Sequence, residues 1–221
     1  MRIFGYNSPL MTFLSRLGDL MLLNILWLVC CLPIVTAGAA TTAFYRCAMD
    51  LDEPVHKPIL RRFFETFRTG FGKSTVLFVV WAVLIALVLL NCWFYAVMFQ
   101  NTEGWMGLLS LLPAFVLLLV SSYLFPIHAF FENSVGGILK NAFRLTLAHL
   151  PVTVVIAFLG CVPALLLYYV TDIFLYLLAV WTLFGFALIA YLQAHFLKKI
   201  FRLYLPETEA EEENGEDTEK N

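Results

Sequence analysis

The chain has 221 residues, of which 61% are hydrophobic, 16% aromatic and only 14% charged, with a mean hydropathy of +0.83. Soluble chains run at about 45–50% apolar and about 25% charged, so a water-soluble enzyme, a disulfide scaffold and a disordered chain are excluded, and lipid is the natural solvent. The formal net charge of −2 hides a segregation: eight of the sixteen acids lie between Glu207 and Glu219, and the rest of the chain is basic.

Residues 1–205 read as an all-α, polytopic membrane helix bundle of about five transmembrane helices with amphipathic cytoplasmic helices. Residues 206–221 read as an acidic disordered tail. A helix rising 1.5 Å per residue needs about 20 apolar residues to cross the hydrocarbon. The first apolar run, Leu20 to Phe44, is the least regular. Pro33 removes a backbone donor and the small-residue stretch Thr36 to Thr42 follows at once, so a kink is expected there. The alternative folds Pro33 to Tyr45 back as a re-entrant half-helix. Ala37-Gly38-Ala39 looks like a signal-peptide cleavage site. Removing that segment would invert every later loop against the charge rule, and that reading is rejected. Arg16 and Asp19, three apart, are expected to form an i,i+3 ion pair at the helix entrance.

From Ile59 to Phe71, Leu60, Phe63, Phe64, Phe67 and Phe71 recur at three- and four-residue spacing, with Arg61, Arg62, Glu65 and Arg68 on the other face. That is an amphipathic helix for the inner headgroup layer. The second span, Thr75 to Phe99, has no Asp, Glu, Lys, Arg or His and carries Trp93, Phe94 and Tyr95 near one end. Met106 to Phe131 is the third span. Ile138 to Leu147 is a milder amphipathic helix with Lys140 and Arg144 on its polar side, and Leu150 to Val170 and Ile173 to Leu197 complete the spans. Pro33-Ile34 and Pro126-Ile127 each precede an amphipathic helix, which suggests a degenerate repeat of span, basic helix, span. The competing account is that any inner loop gathers basic residues.

Lys and Arg fall in the connections between the first and second spans, between the third and fourth, and after the fifth; residues 100–105 and 171–172 have none. The positive-inside rule puts the basic connections and the C-terminus in the cytoplasm. Five full spans then leave the N-terminus outside, whereas the re-entrant alternative leaves both termini inside.

The hydrocarbon centre carries almost no charge. Asp19, Arg46, Glu132, His149, Asp172 and Lys198 sit at span ends, and the mid-depth polar residues are Asn24, Asn91, Ser121 and Ser122. A pump or proton relay would place a carboxylate or histidine partway across. His128, Glu132, His149 and His195 form a candidate polar cluster at the inner mouth, without the H-E-x-x-H order of a metallohydrolase. Interfacial anchoring is the expectation for them, and no metal or cofactor is expected. The five cysteines, Cys30, Cys31, Cys47, Cys92 and Cys161, read as small hydrophobes. No nucleotide, dinucleotide or nucleophile-elbow motif occurs, so no enzymatic activity and no nucleic-acid partner is expected.

The run L-G-D-L-M-L-L-N-I-L-W-L-V-C-C-L-P-I-V-T-A-G-A-A-T-T-A-F-Y, Leu17 to Tyr45, resembles the opening signature of the YesL-like family of bacterial integral membrane proteins, grouped as a domain of unknown function. F-F-E-T-F-R-T-G-F (Phe63 to Phe71) and Y-L-F-P-I (Tyr123 to Ile127) look like its later blocks. The likeness runs to about Leu205, and its first block is the distinctive one. It implies a multi-pass protein of the bacterial plasma membrane, mainly Gram-positive, often encoded beside carbohydrate-uptake and polysaccharide-degradation genes, with no established activity. Its signature positions here are Gly18, Asp19, Asn24, Pro33, Thr36, Gly38 and Tyr45, read as structural packing residues. The expected partners are the lipid bilayer and the membrane subunits of a carbohydrate ABC transporter. The alternative expectation is a facilitator moving a small neutral solute.

Overall fold

The computed structural model describes residues 9–52, 58–98, 105–131, 133–169 and 181–204. Among these residues every regular element is helical: α1 (Pro9–Cys31), α2 (Ala37–Met49), α3 (Ile59–Thr69), α4 (Phe71–Met98), α5 (Trp105–Phe130), α6 (Val135–Ala148), α7 (Leu150–Tyr169) and α8 (Phe186–Arg202), the last continuing a π-helical turn at Trp181–Gly185. The acidic tail, Glu132 and the start of the fifth predicted span lie outside the described residues. Among the described residues four stretches are long and apolar enough to cross a membrane: Leu14–Cys31, Phe71–Tyr95, Leu111–Phe130 and Trp181–Arg202. The α6–α7 pair, bent by 109°, brings the number to five if it counts as one span. The bend falls where Pro151 follows Leu150, because proline lacks the donor an uninterrupted helix needs but fits the first turn of a new one.

The first predicted span, Leu20 to Phe44, is corrected. Leu32 precedes a proline and is steered away from helical geometry, so α1 stops at Cys31 and Pro33 is extended at φ −78°, ψ 121°. The Thr36 hydroxyl reaches back to the carbonyls of Cys30 (2.6 Å) and Pro33 (2.7 Å), satisfying the end of α1. α2 then returns along α1. The Trp27 indole donates to Thr41 (3.2 Å) and stacks on Phe44 at 5.1 Å, while Asp19 feels the charge of Arg62, which itself lies against Asp50 beyond the far end of α2. The chain therefore turns back after Cys31 as a helical hairpin and does not continue as one kinked span. Nine of the thirteen residues of α2 are buried, and α1, α3, α4, α5 and α8 all pack around it. Small side chains make that possible, since Ala, Gly and Thr let neighbouring backbones approach closely.

The suggested repeat reappears in a different register. α3 packs mainly on α2, and α6 mainly on α5, each more than on the helix it leads into. A hydroxyl pair ties the outer helices in each half: Ser74 donates to Thr42 between α4 and α2 (3.1 Å), and Tyr123 meets Thr153 between α5 and α7 (3.0 Å). Ile59, Phe63, Ser74 and Leu77 are buried, and so are Ile138, Ala142, Thr153 and Ile156, each 79 positions later. In this register α2 corresponds to the second half of α5. The Pro33-Ile34 and Pro126-Ile127 pairs do not align, because Pro33 forms a turn and Pro126 sits inside a helix.

Candidate functional site

Several neutral polar side chains in the interior hold helices together through hydrogen bonds to backbone groups or to one another. Asn24 is fully buried on α1 and faces the π-helical turn. Its amide donates to the carbonyls of Trp181 (2.9 Å) and Thr182 (2.7 Å), and its carbonyl accepts from the Ala187 amide (2.9 Å). A π turn shifts the hydrogen-bond register and frees such backbone groups; asparagine, with both donors and an acceptor, matches them. Tyr45 on α2 donates to Gln193 Oε1 on α8 (2.8 Å), and Gln193 Nε2 donates to the Ile156 carbonyl on α7 (2.8 Å). One relay thus joins three helices. Tyr45→Phe is expected to cost about 1 kcal/mol in a hydrophobic environment, and the double variant with Gln193→Leu less than the sum of the two singles. Thermal unfolding of the purified variants in detergent checks both.

Gly38 lies where α2 crosses α4: a β-carbon there would collide with the Ser74 carbonyl oxygen and come within 2.7 Å of the Phe78 β-carbon. Gly18, by contrast, has open space around it. The small-residue stretch Thr36 to Thr42 is therefore mostly an internal packing surface, not a face offered to another protein.

At the far end of α2 the charges gather. Arg46 Nε lies 3.3 Å and Arg62 Nη1 3.6 Å from the same Asp50 oxygen, and the side chains of Arg62 and Asp50 are each only 12% exposed. Arg46 also stands over the Phe130 ring at 5.9 Å, which draws α5 into the cluster. Beside these groups burial pushes the Cys47 thiol up to about 12, an effect the two arginines oppose and Asp50 assists. At pH 8 Cys47 is expected to stay protonated, and to react with maleimide only after denaturation, as followed by mass spectrometry.

The candidate histidines do not converge. His128, on α5, has both ring nitrogens shielded from solvent, with its Nε2 beside the backbone of Gly70. His149 closes α6 and meets the Tyr204 hydroxyl at 3.2 Å. His195 is exposed on α8, edge-on to Phe196. Among the described residues no three His, Cys, Asp or Glu side chains lie close enough to hold a metal ion. Of the signature positions, Asn24, Gly38 and Tyr45 make internal contacts, Thr36 caps α1, Pro33 makes the turn, Asp19 sits near Arg62, and Gly18 is exposed. Gln193, Ser74 and Thr153 also hold helices together, and no sequence motif marks them. A glutamine inside an apolar run was the available signal for the first, and the others are too ordinary to stand out.

Span-length apolar helices around a buried half-helix, tied by neutral hydrogen bonds, make this a helical membrane bundle of the multi-pass class. Residues 20–92 match the family described as a protein of unknown function, DUF624. That stretch takes in the α1–α2 hairpin from Leu20 onward, α3 and most of α4. No curated protein and no solved structure matches the chain.

Proposed function

We propose that the protein is a non-enzymatic accessory or regulatory component of carbohydrate uptake in a bacterial plasma membrane, packing against the membrane subunits of a carbohydrate ABC transporter. The observation that supports this best is the use made of a set of interior polar side chains. Asn24, Thr42, Ser74, Tyr45, Gln193, Tyr123 and Thr153 are engaged in holding helices together, which is the use expected of an architectural bundle. The carbohydrate setting rests on the resemblance of Leu17–Tyr45 to the YesL-like family. Meanwhile α4 buries little of its own surface, and Val79, Leu87, Leu90 and Trp93 lie exposed along its length, the kind of face a neighbouring membrane subunit could cover. Full-length tagged protein purified in mild detergent from its native membrane is expected to bring sugar-transporter subunits with it; repeated recovery of the protein alone would count against this reading.

The hairpin makes a cytoplasmic N-terminus part of the proposal. α2 ends on the side where α1 begins, beside the basic α3, so the positive-inside rule places both chain ends in the cytoplasm. Tags at either end are expected to be reachable by protease in inverted vesicles and protected in right-side-out ones.

A second reading, a facilitator for a small neutral solute, draws on the polar atoms that lack partners. The Trp81 indole N–H and the Asn91 carbonyl oxygen are shielded and unpaired on α4. If they merely tolerate burial, Asn91→Leu should be neutral or stabilising by about 1 kcal/mol. If they line a path, the same change should lower saturable solute entry into reconstituted vesicles.

A further inference from the structure

The two amphipathic helices carry matching outward faces. In α3 the inward side is already occupied: Ile59 and Phe63 are buried, and Phe67 packs behind them. Periodicity alone assigns all the phenylalanines of this helix to one lipid-facing side, and the structure divides them. Phe64 points outward, 38% exposed, and Phe71 continues that face at the start of α4. Seventy-nine positions further on, Phe143 is 48% exposed on α6 and Leu150 stands exposed at the start of α7, in the same relation. Arg61 and Lys140 also share that register, and both are exposed.

The charge beside these apolar groups has one sign. Arg61, Arg68 and Lys73 face outward around Phe64 and Phe71, against a single acid, Glu65, which Arg61 holds at 3.1 Å. Arg62 is not part of this face, because it turns inward to Asp50. Lys140 and Arg144 flank Phe143, and α6 contains no acid at all. Water alone gives no reason for a large aromatic ring at the same outward position in both halves. A headgroup layer does: the ring enters the acyl boundary while long basic stems lie along it and carry their charges to phosphate. Both helices also lead directly into lipid-length helices, so the two faces continue the apolar surfaces of α4 and α7.

We propose that the outward faces of α3 and α6 are paired docking surfaces for anionic phospholipid, seating the bundle at a fixed depth in the leaflet that carries its basic loops. This does not depend on the accessory role. The test uses full-length protein in mild detergent, titrated with phosphatidylglycerol or phosphatidylcholine and read by native mass spectrometry. The parent is expected to retain phosphatidylglycerol preferentially. Arg61→Gln with Arg68→Gln, and Lys140→Gln with Arg144→Gln, should each weaken that retention by about fivefold for every charge removed, the equivalent of about 1 kcal/mol per charge near a membrane surface. Because the two pairs lie on separate helices, each remains informative if the combined variant fails to fold, and circular dichroism reports on folding. Lys198→Gln with Lys199→Gln should leave the preference in place. Equal retention of the two lipids by the parent, an unchanged preference in both helix variants, or its loss in the α8 variant would each overturn the proposal.

Discussion

Asn24→Asp is expected to be the most damaging single-atom change in this protein. Asn24 presents two N–H groups to the carbonyls of Trp181 and Thr182 and one oxygen to the Ala187 amide, in a site with no exposure to solvent. A carboxylate would turn the donor pair into acceptors aimed at two carbonyl oxygens, and would bury a charge unless it took up a proton. Asn24→Leu removes the mismatch but leaves the groups of the π turn without partners. Three lost hydrogen bonds of this kind amount to about 2–5 kcal/mol, the lower end applying where the bundle relaxes. Thermal unfolding in detergent should therefore rank parent above Asn24→Leu and Asn24→Leu above Asn24→Asp. Equal stability of parent and Asn24→Leu would show that the α1–α8 junction does not depend on this side chain.

Gly38→Ala is expected to cost about 3 kcal/mol, at the high end for one added methyl group. The obstacles are the Ser74 carbonyl and the Phe78 β-carbon, neither of which is the movable end of a side chain. Relief requires α2 and α4 to separate, and that stretches the Ser74–Thr42 bond as well. Gly18→Ala, made on the open side of α1, should instead be neutral or stabilising by about 0.5–1 kcal/mol, since alanine loses less backbone entropy in a helix. The pair is a controlled comparison: the same substitution, in helices that touch each other, with opposite expected signs. Comparable unfolding temperatures for the two variants would mean that the α2–α4 crossing is looser than its geometry indicates.

Much of the architecture was legible in the residues themselves. Uninterrupted apolar composition marked α4, α5 and α7 because crossing hydrocarbon demands it of every residue in a span, and the three- and four-residue spacing marked α3 and α6 because helical periodicity is local. The sequence also carried the break at Pro33, since a proline acts on its own backbone and on the residue before it. Where the chain went after that break was decided only in three dimensions. A kinked span and a returning half-helix have the same composition, and the choice lies in what surrounds Ala37–Met49: five helices whose close approach Gly38 and its small neighbours permit. The same holds for the division of Phe63 from Phe64, for the fates of Gly18 and Gly38, and for Asn24, whose partners lie 157 to 163 residues away. Periodicity and composition are properties of neighbours along the chain; hydrogen-bond partners and steric limits belong to neighbours in space, and only the packed bundle brings those together.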